Sequence, residues 1–279
     1  MIPSMSSASA EFQTPVAENT GGWLSPDRLL HTRDVLRELI ARDVKLRYRG
    51  SYFGMAWTLL NPIAELLVLS FIFGSVLPMG IPNFAAFLFT GLLVYTWFQT
   101  SLFFATAAIV GNRDLVRRPN FPLAVLPIVS VASTLLHFLL SLPVLFALLL
   151  WNSVPVTWTL LALPALIAVQ FTLILALAYP LAAVNVWFRD TQYFLKVILQ
   201  LLFFMTPVFY ESKAIPERFQ TLYRFNPMVG VVDGYRDVIV RGVLPSPQSW
   251  LTLLAVSGVL LLLGYAAFKR ASRKFADEL

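Results

Sequence analysis

Apolar residues run for long distances without charge along this chain. From Gly50 to Asn112 the one charged residue is Glu65, and from Pro119 to Phe188 and from Gly242 to Phe268 there is none. A helix crossing the ~30 Å hydrocarbon core of a bilayer needs about 20 mostly apolar residues. The first two stretches therefore each hold two spans and the third holds one. Turns rich in proline break the first two, at Pro78–Asn83 and at Trp151–Pro155. The expected spans are 55–77, 84–108, 123–150, 157–184 and 249–268. A sixth, 191–210, is apolar except for Lys196, which lies near its start and can snorkel to the headgroups. The pattern predicts an all-α integral membrane protein with six transmembrane helices.

Two segments carry a helical period without being spans. In 33–49, Leu36, Ile40, Val44 and Tyr48 recur every fourth residue with Leu39 beside them, and most of the rest is charged. That is an N-terminal basic amphipathic helix lying in the membrane interface. Its cations Arg42, Lys45, Arg47 and Arg49 either anchor topology or also attract an anionic lipid or lipid phosphate. In 211–248, Pro216-Glu217 opens one short helix, and Asn226-Pro227 reads as a cap followed by proline in the first turn of a second. Met228, Val231, Val232, Tyr235, Val238 and Ile239 then follow at helical spacing. These two helices either re-enter the membrane, their backbones satisfied internally, or lie on its surface.

Composition agrees with the pattern: 58% of the 279 residues are hydrophobic and 13% charged, against about 25% charged in soluble proteins. The net charge of +6 acts first as a topology signal. With the N-terminus inside, 16 of the 21 Lys and Arg residues fall on the cytoplasmic side, and both termini are expected there. The outer loop holds the other five, Lys213, Arg218, Arg224, Arg236 and Arg241, balanced by four carboxylates. Residues 1–30 lack an apolar run and read as a disordered cytoplasmic extension. The remainder, 31–279, reads as one transmembrane domain. With no cysteine and only His31 and His137, disulfides and a metal site are not expected.

Candidate chemistry is sparse. Glu65 is a lone carboxylate inside the first span, and His137 sits mid-span in the third; each is either a functional intramembrane group or an interhelical hydrogen-bonding one. There is no Gly-Lys pair, so no phosphate loop of the G-x-x-x-x-G-K-[ST] type. Acidic residues on the cytoplasmic side are scattered rather than clustered around a metal. An enzyme, such as a membrane glycosyl or polymer transferase, is therefore a poor reading.

Four segments together resemble the ABC-2 type permeases that export polysaccharides: LRELIARDVKLRYRGSYFGMAWTLLNP (36–62), NRDLVRRPNFP (112–122), NVWFRDTQYFLKVILQLLFFMTPVFY (185–210) and FNPMVGVVDGYRDVIVRG (225–242). The branch most resembled is the O-antigen exporters of lipopolysaccharide biosynthesis, with teichoic acid and capsule permeases as near relatives. The resemblance implies a bacterial inner-membrane subunit that pairs with a second copy of itself. It also implies two separate P-loop ATPase subunits, which bind the ATP and Mg. The implied cargo is polysaccharide on undecaprenyl pyrophosphate, met by Arg42, Lys45, Arg47 and Arg49. Loop 112–122 becomes the element coupled to the ATPase, through Asn112, Arg113, Asp114, Leu115, Arg117, Arg118 and Phe121. The loop 211–248 becomes re-entrant periplasmic helices. Tyr95, Trp97, Phe98, Phe203, Phe204 and Tyr210 are the implied channel aromatics. An ABC-2 permease for a drug or small lipid is the alternative.

Overall fold

The computed structural model describes residues 26–47, 56–119 and 121–279, and all regular structure in them is helical. In chain order the helices are α1 (Pro26–Arg47), α2 (Ala56–Phe71, prolonged by a π turn Ile72–Val76), α3 (Phe84–Ala107) and α4 (Arg113–Val116). Then come α5 (Val125–Trp151), α6 (Leu163–Trp187, entered by a 3-10 turn Trp158–Ala162) and α7 (Thr191–Phe204). The last are α8 (Glu217–Arg224), α9 (Pro227–Arg236, prolonged by a π turn Asp237–Arg241), α10 (Pro247–Ala271) and α11 (Phe275–Glu278). The turns leave α1, α4 and α11 at one end of the bundle and the α8–α9 hairpin at the other, here the far end.

Local chemistry sets the starts. The Asn226 side chain accepts from the Met228 amide at 3.0 Å, with Pro227 in the first turn of α9. Ser246 caps α10 in the same way through the Ser249 amide at 3.2 Å. Both arrangements occupy amides that a helix start leaves unpaired. α1 begins at Pro26, so residues 26–30 belong to a helix rather than to the expected disordered extension; proline and Asp27 are both favoured in a first turn. Residues 1–25 and Arg49 lie outside the described residues.

Among the described residues, five helices are long and apolar enough to cross a membrane: Leu59–Val76, Phe84–Ala107, Val125–Trp151, Trp158–Trp187 and Pro247–Lys274. The expected sixth, α7, has 14 residues, about 21 Å at 1.5 Å per residue, and its chain then turns at Thr206-Pro207. Packing is uneven. Of the α3 span 72% is buried within the chain, against 11% of the α2 span. α3 is therefore the central post, with α5, α6, α7 and α9 around it, and α2 leans on it from outside. On the opposite flank α10 closes on α6 at Gly264, where a Cβ would lie 2.3 Å from the Ala176 carbonyl oxygen. Within the bundle, polar groups pair with each other: Ser101 with Thr134 at 2.6 Å, and the Gln170 amide donates to the Val94 carbonyl at 2.9 Å.

The far end is held by a fully buried cation. Arg236 on α9 donates to the carbonyls of Pro207 and Val208, each at 2.5 Å, and to that of Phe87 at 3.4 Å. Its guanidinium carbon lies 3.4 Å from the centre of the Phe87 ring. Burial pulls it down to about 9, with Asp233 opposing, so it stays charged at neutral pH. Gly91 makes the room, since a Cβ there would stand 2.8 Å from Arg236 Nη2 and 2.9 Å from the Val208 oxygen. One planar fork thus ties α3, the turn after α7 and α9 together, which a single ammonium cannot do.

Next to it, Asp233 accepts from the Ser212 hydroxyl at 2.5 Å and is otherwise desolvated. Burial raises its carboxyl above the ordinary value, while Ser212 and Arg236 act in the opposite sense. The folded hairpin therefore holds this proton more tightly than the unfolded chain. Its contribution is full below the ordinary Asp value of about 4 and is lost as pH rises through the raised value.

Arg236→Leu leaves the Pro207 and Val208 carbonyls without their guanidinium donors and should destabilise the protein by about 3 kcal/mol, with Arg236→Lys recovering little. Thermal unfolding in detergent measures this; an unchanged midpoint would contradict the anchoring role. Asp233→Asn should flatten the fall in α9 amide protection that hydrogen exchange is expected to show for the wild type as pH rises above the ordinary Asp value of about 4.

Candidate functional site

A groove opens between α2, α3 and α7, with a volume of about 610 Å³. α2 contributes Asn61 and Glu65, α3 contributes Tyr95 and Gln99, and α7 contributes Lys196, Gln200, Phe203 and Phe204. Glu65 accepts from the Asn61 amide one turn earlier at 2.9 Å. Tyr95 donates its hydroxyl to the Leu199 carbonyl and so pins α7 to α3. Its ring meets Phe203 edge-on at 5.3 Å, and Phe203 meets Phe204 at 5.4 Å. Above them Phe209 stacks on Phe73 of α2 at 5.2 Å and touches Tyr210 at 5.0 Å. Among the described residues the wall combines amides, two threonines, aromatic rings and aliphatic side chains with one carboxylate and one ammonium. Amides exchange hydrogen bonds with hydroxyls, and ring faces match the apolar C–H faces of a sugar.

Of the expected channel aromatics, Tyr95, Phe203 and Phe204 lie on this groove, and Tyr210 stands at its far end with its hydroxyl donating to the Phe204 carbonyl at 2.9 Å. Trp97 and Phe98 do not. Trp97 is two residues from Tyr95, about 200° around the helix, and stacks on Phe138 of α5 at 5.0 Å. It borders a smaller cavity of about 170 Å³ that also meets His137 and Asn61. Phe98 is buried against Tyr95 at 5.9 Å. Both are interior packing residues.

At the basic end, α1 and the segment before α4 touch through Arg42, which donates to Asn112 at 2.7 Å. Arg47 is already paired: Asp43 lies 2.8 Å away and the Phe104 ring centre 3.7 Å away. Lys45 is exposed and has no partner among the described residues. Leu115 and Val116 are buried and seat α4, while Arg113, Asp114, Arg117 and Arg118 are exposed. Arg117 donates to the Leu279 carbonyl at 2.7 Å. Phe121 is half-buried and packs on the core. The segment 112–121 thus presents charge outward on an apolar seat and contacts both α1 and the C-terminal residue.

Sequence reasoning did not single out Arg236, Gln99 or Gln200. A signal was available for each: Arg236 falls four residues after Val232 and three before Ile239, on the apolar face, and the two amides stand within long, largely apolar helices.

Because the chain has no cysteine, single replacements report on water access without background. Gln99→Cys and Gln200→Cys should react with a water-soluble maleimide in membranes, while Trp97→Cys and Phe98→Cys should resist it by tenfold or more. Equal labelling of all four would contradict the groove assignment.

Comparison with known proteins matches residues 34–240 to the ABC-2 type transporter family. The chain is 38% identical over 253 residues to the O-antigen export system permease protein RfbA of Myxococcus xanthus, covering 90% of this chain and 97% of that one. It is 30% identical over 248 residues to the protein of the same name in Klebsiella pneumoniae, covering 88% and 95%. It is 24% identical over 245 residues to the polysialic acid transport protein KpsM of Escherichia coli, covering 83% and 91%. A multi-pass helical bundle, an amide-and-aromatic groove and a family match over most of the length lead to one conclusion: the chain belongs to the ABC-2 type transporter family of membrane permeases, whose ATPase activity resides in separate subunits.

Proposed function

We propose that the chain is the transmembrane subunit of an ATP-driven exporter of polysaccharide, of the O-antigen type, linked to undecaprenyl pyrophosphate. Two copies enclose a channel across a bacterial inner membrane, termini inside, and polymer passes from cytoplasm to periplasm. The observation that carries this reading is the groove between α2, α3 and α7. Its rings and amides grip successive sugars without demanding one sequence of them, which suits a polymer that must slide. The outward faces of α2 and α7 support the pairing: Leu67, Phe71, Tyr193 and Phe194 are each more than 60% exposed. Names of the 38% and 30% identical relatives support the cargo class.

In this mechanism Lys45 and Arg42 receive the pyrophosphate at the basic end, while Arg47 holds the interface helix on Phe104. The ATPase docks on Arg113, Asp114, Arg117 and Arg118. Its movement reaches α1 through the Arg42–Asn112 hydrogen bond, so nucleotide state and access to the groove change together. A capsule-type acidic polymer is the second reading; it rests on the likeness to the polysialic acid transport protein and on Lys196, the lone cation of the groove.

Deleting the chain should leave lipid-linked polymer inside the inner membrane and none at the surface. Surface polymer at wild-type level would refute the export role. Replacing Arg117 and Arg118 with Glu should release the ATPase on co-purification, or abolish export with insertion intact; unchanged co-purification and export would refute the docking assignment. Lys196→Gln should impair export of an acidic polymer far more than of a neutral one.

A further inference from the structure

At the far end lies a second cavity, of about 670 Å³, between the α8–α9 hairpin and the first turns of α10. That volume is in the ~300–1,000 Å³ range of small-molecule sites. Among the described residues, none of its lining side chains is charged. Gln220 of α8 and Gln248 of α10 face it from opposite walls, and neither amide has a hydrogen-bond partner among the described residues. Thr252 spends its proton on the Gln248 carbonyl at 2.9 Å, which leaves its oxygen free to accept. The Phe225 ring at the rim is 81% exposed, and Leu253 lies on the apolar side.

Each feature narrows the ligand. A phosphate headgroup needs a cation or a set of free amide protons, and among the described residues no cation lines the cavity. A purely apolar chain would leave two amides without partners. Free amides offer a paired donor and acceptor for adjacent hydroxyls, and an exposed ring offers a face for C–H groups. The cavity is also tied to the groove. Tyr223 borders it, and the Tyr223 hydroxyl lies 3.0 Å from that of Tyr210, which in turn donates to the Phe204 carbonyl at the groove wall.

We propose that this cavity is a binding site for a short uncharged stretch of glycan, separate from the groove and reached by polymer as it leaves the far end. Occupancy would hold emerging sugars against the hairpin and hinder back-sliding. The proposal rests on the export reading above.

The test uses the full chain with its ATPase partner, in cells that make the polymer. Phe225→p-benzoylphenylalanine keeps an aromatic ring at the rim and cross-links on illumination; Phe204→p-benzoylphenylalanine places the same probe in the groove. The site predicts an adduct at 225 that is detected after periodate oxidation and hydrazide labelling, and that falls at least fivefold when Gln220→Ala and Gln248→Ala are combined. Groove adducts should survive that pair of changes. Glycan captured at 204 but not at 225 would overturn the site and leave the export reading standing. A periodate-negative lipid adduct at 225 would assign the cavity to lipid and overturn the site. An adduct at 225 that ignores the two amide changes would also overturn it. No glycan at either position would overturn both.

Discussion

One guanidinium, shut away from water, holds the far end of this bundle together. In a membrane protein a carbonyl without a partner has no water to turn to, and the turn after α7 exposes two in succession. Arg236 answers both, reaches a third on α3 and lies on an aromatic face. A buried cation is tolerated only where its geometry is nearly complete, which explains why Gly91 must lack a side chain beside it. The short α7, the inward course of α9 and the placing of Phe209 and Tyr210 all follow from that fastening. The groove and the far-end cavity share the hairpin it secures.

Against this rigid post, α2 and α7 are lightly held. α2 rests on α3 by one side, and α7 is tied to α3 by the Tyr95 hydroxyl and seated through Leu195 and Leu199, with most of the rest of its surface facing outward. Large apolar side chains on both helices point away from the chain. Helices so loosely attached shift with less loss of contact than the α3–α5–α6 core, which suits a conduit that must admit and release bulky cargo. A partner copy laid against them would convert an open groove into an enclosed one.

How much was legible in the sequence follows from physics at each place. Charge-free length revealed the long spans, because bilayer thickness sets a plain requirement. Asn226-Pro227 announced α9, since both residues act locally. The end of α7 was harder: the apolar run continues to Tyr210, and Pro207 alone marks the break, as proline disfavours helix at the residue before it. Trp97 and Phe98 were assigned to the channel although α3 is apolar on every side, a pattern that already marks a helix enclosed by others. The Asp43 partner of Arg47 lies one turn away and is readable locally, but Phe104 on α3, beneath its guanidinium, is 57 positions away in sequence. Long-range pairings of that kind leave little trace in local pattern.

The central claim is that polysaccharide passes between two copies of this chain along α2 and α7. Its most direct test is a symmetric disulfide across that boundary, in a chain that has no cysteine of its own. Leu67→Cys on α2 or Ile198→Cys on α7, oxidised in membranes, should give a covalent dimer. Polymer export should stop on oxidation and return on reduction. Failure to form a dimer from either helix, or a dimer that exports polymer as fast as the reduced protein, would contradict the account.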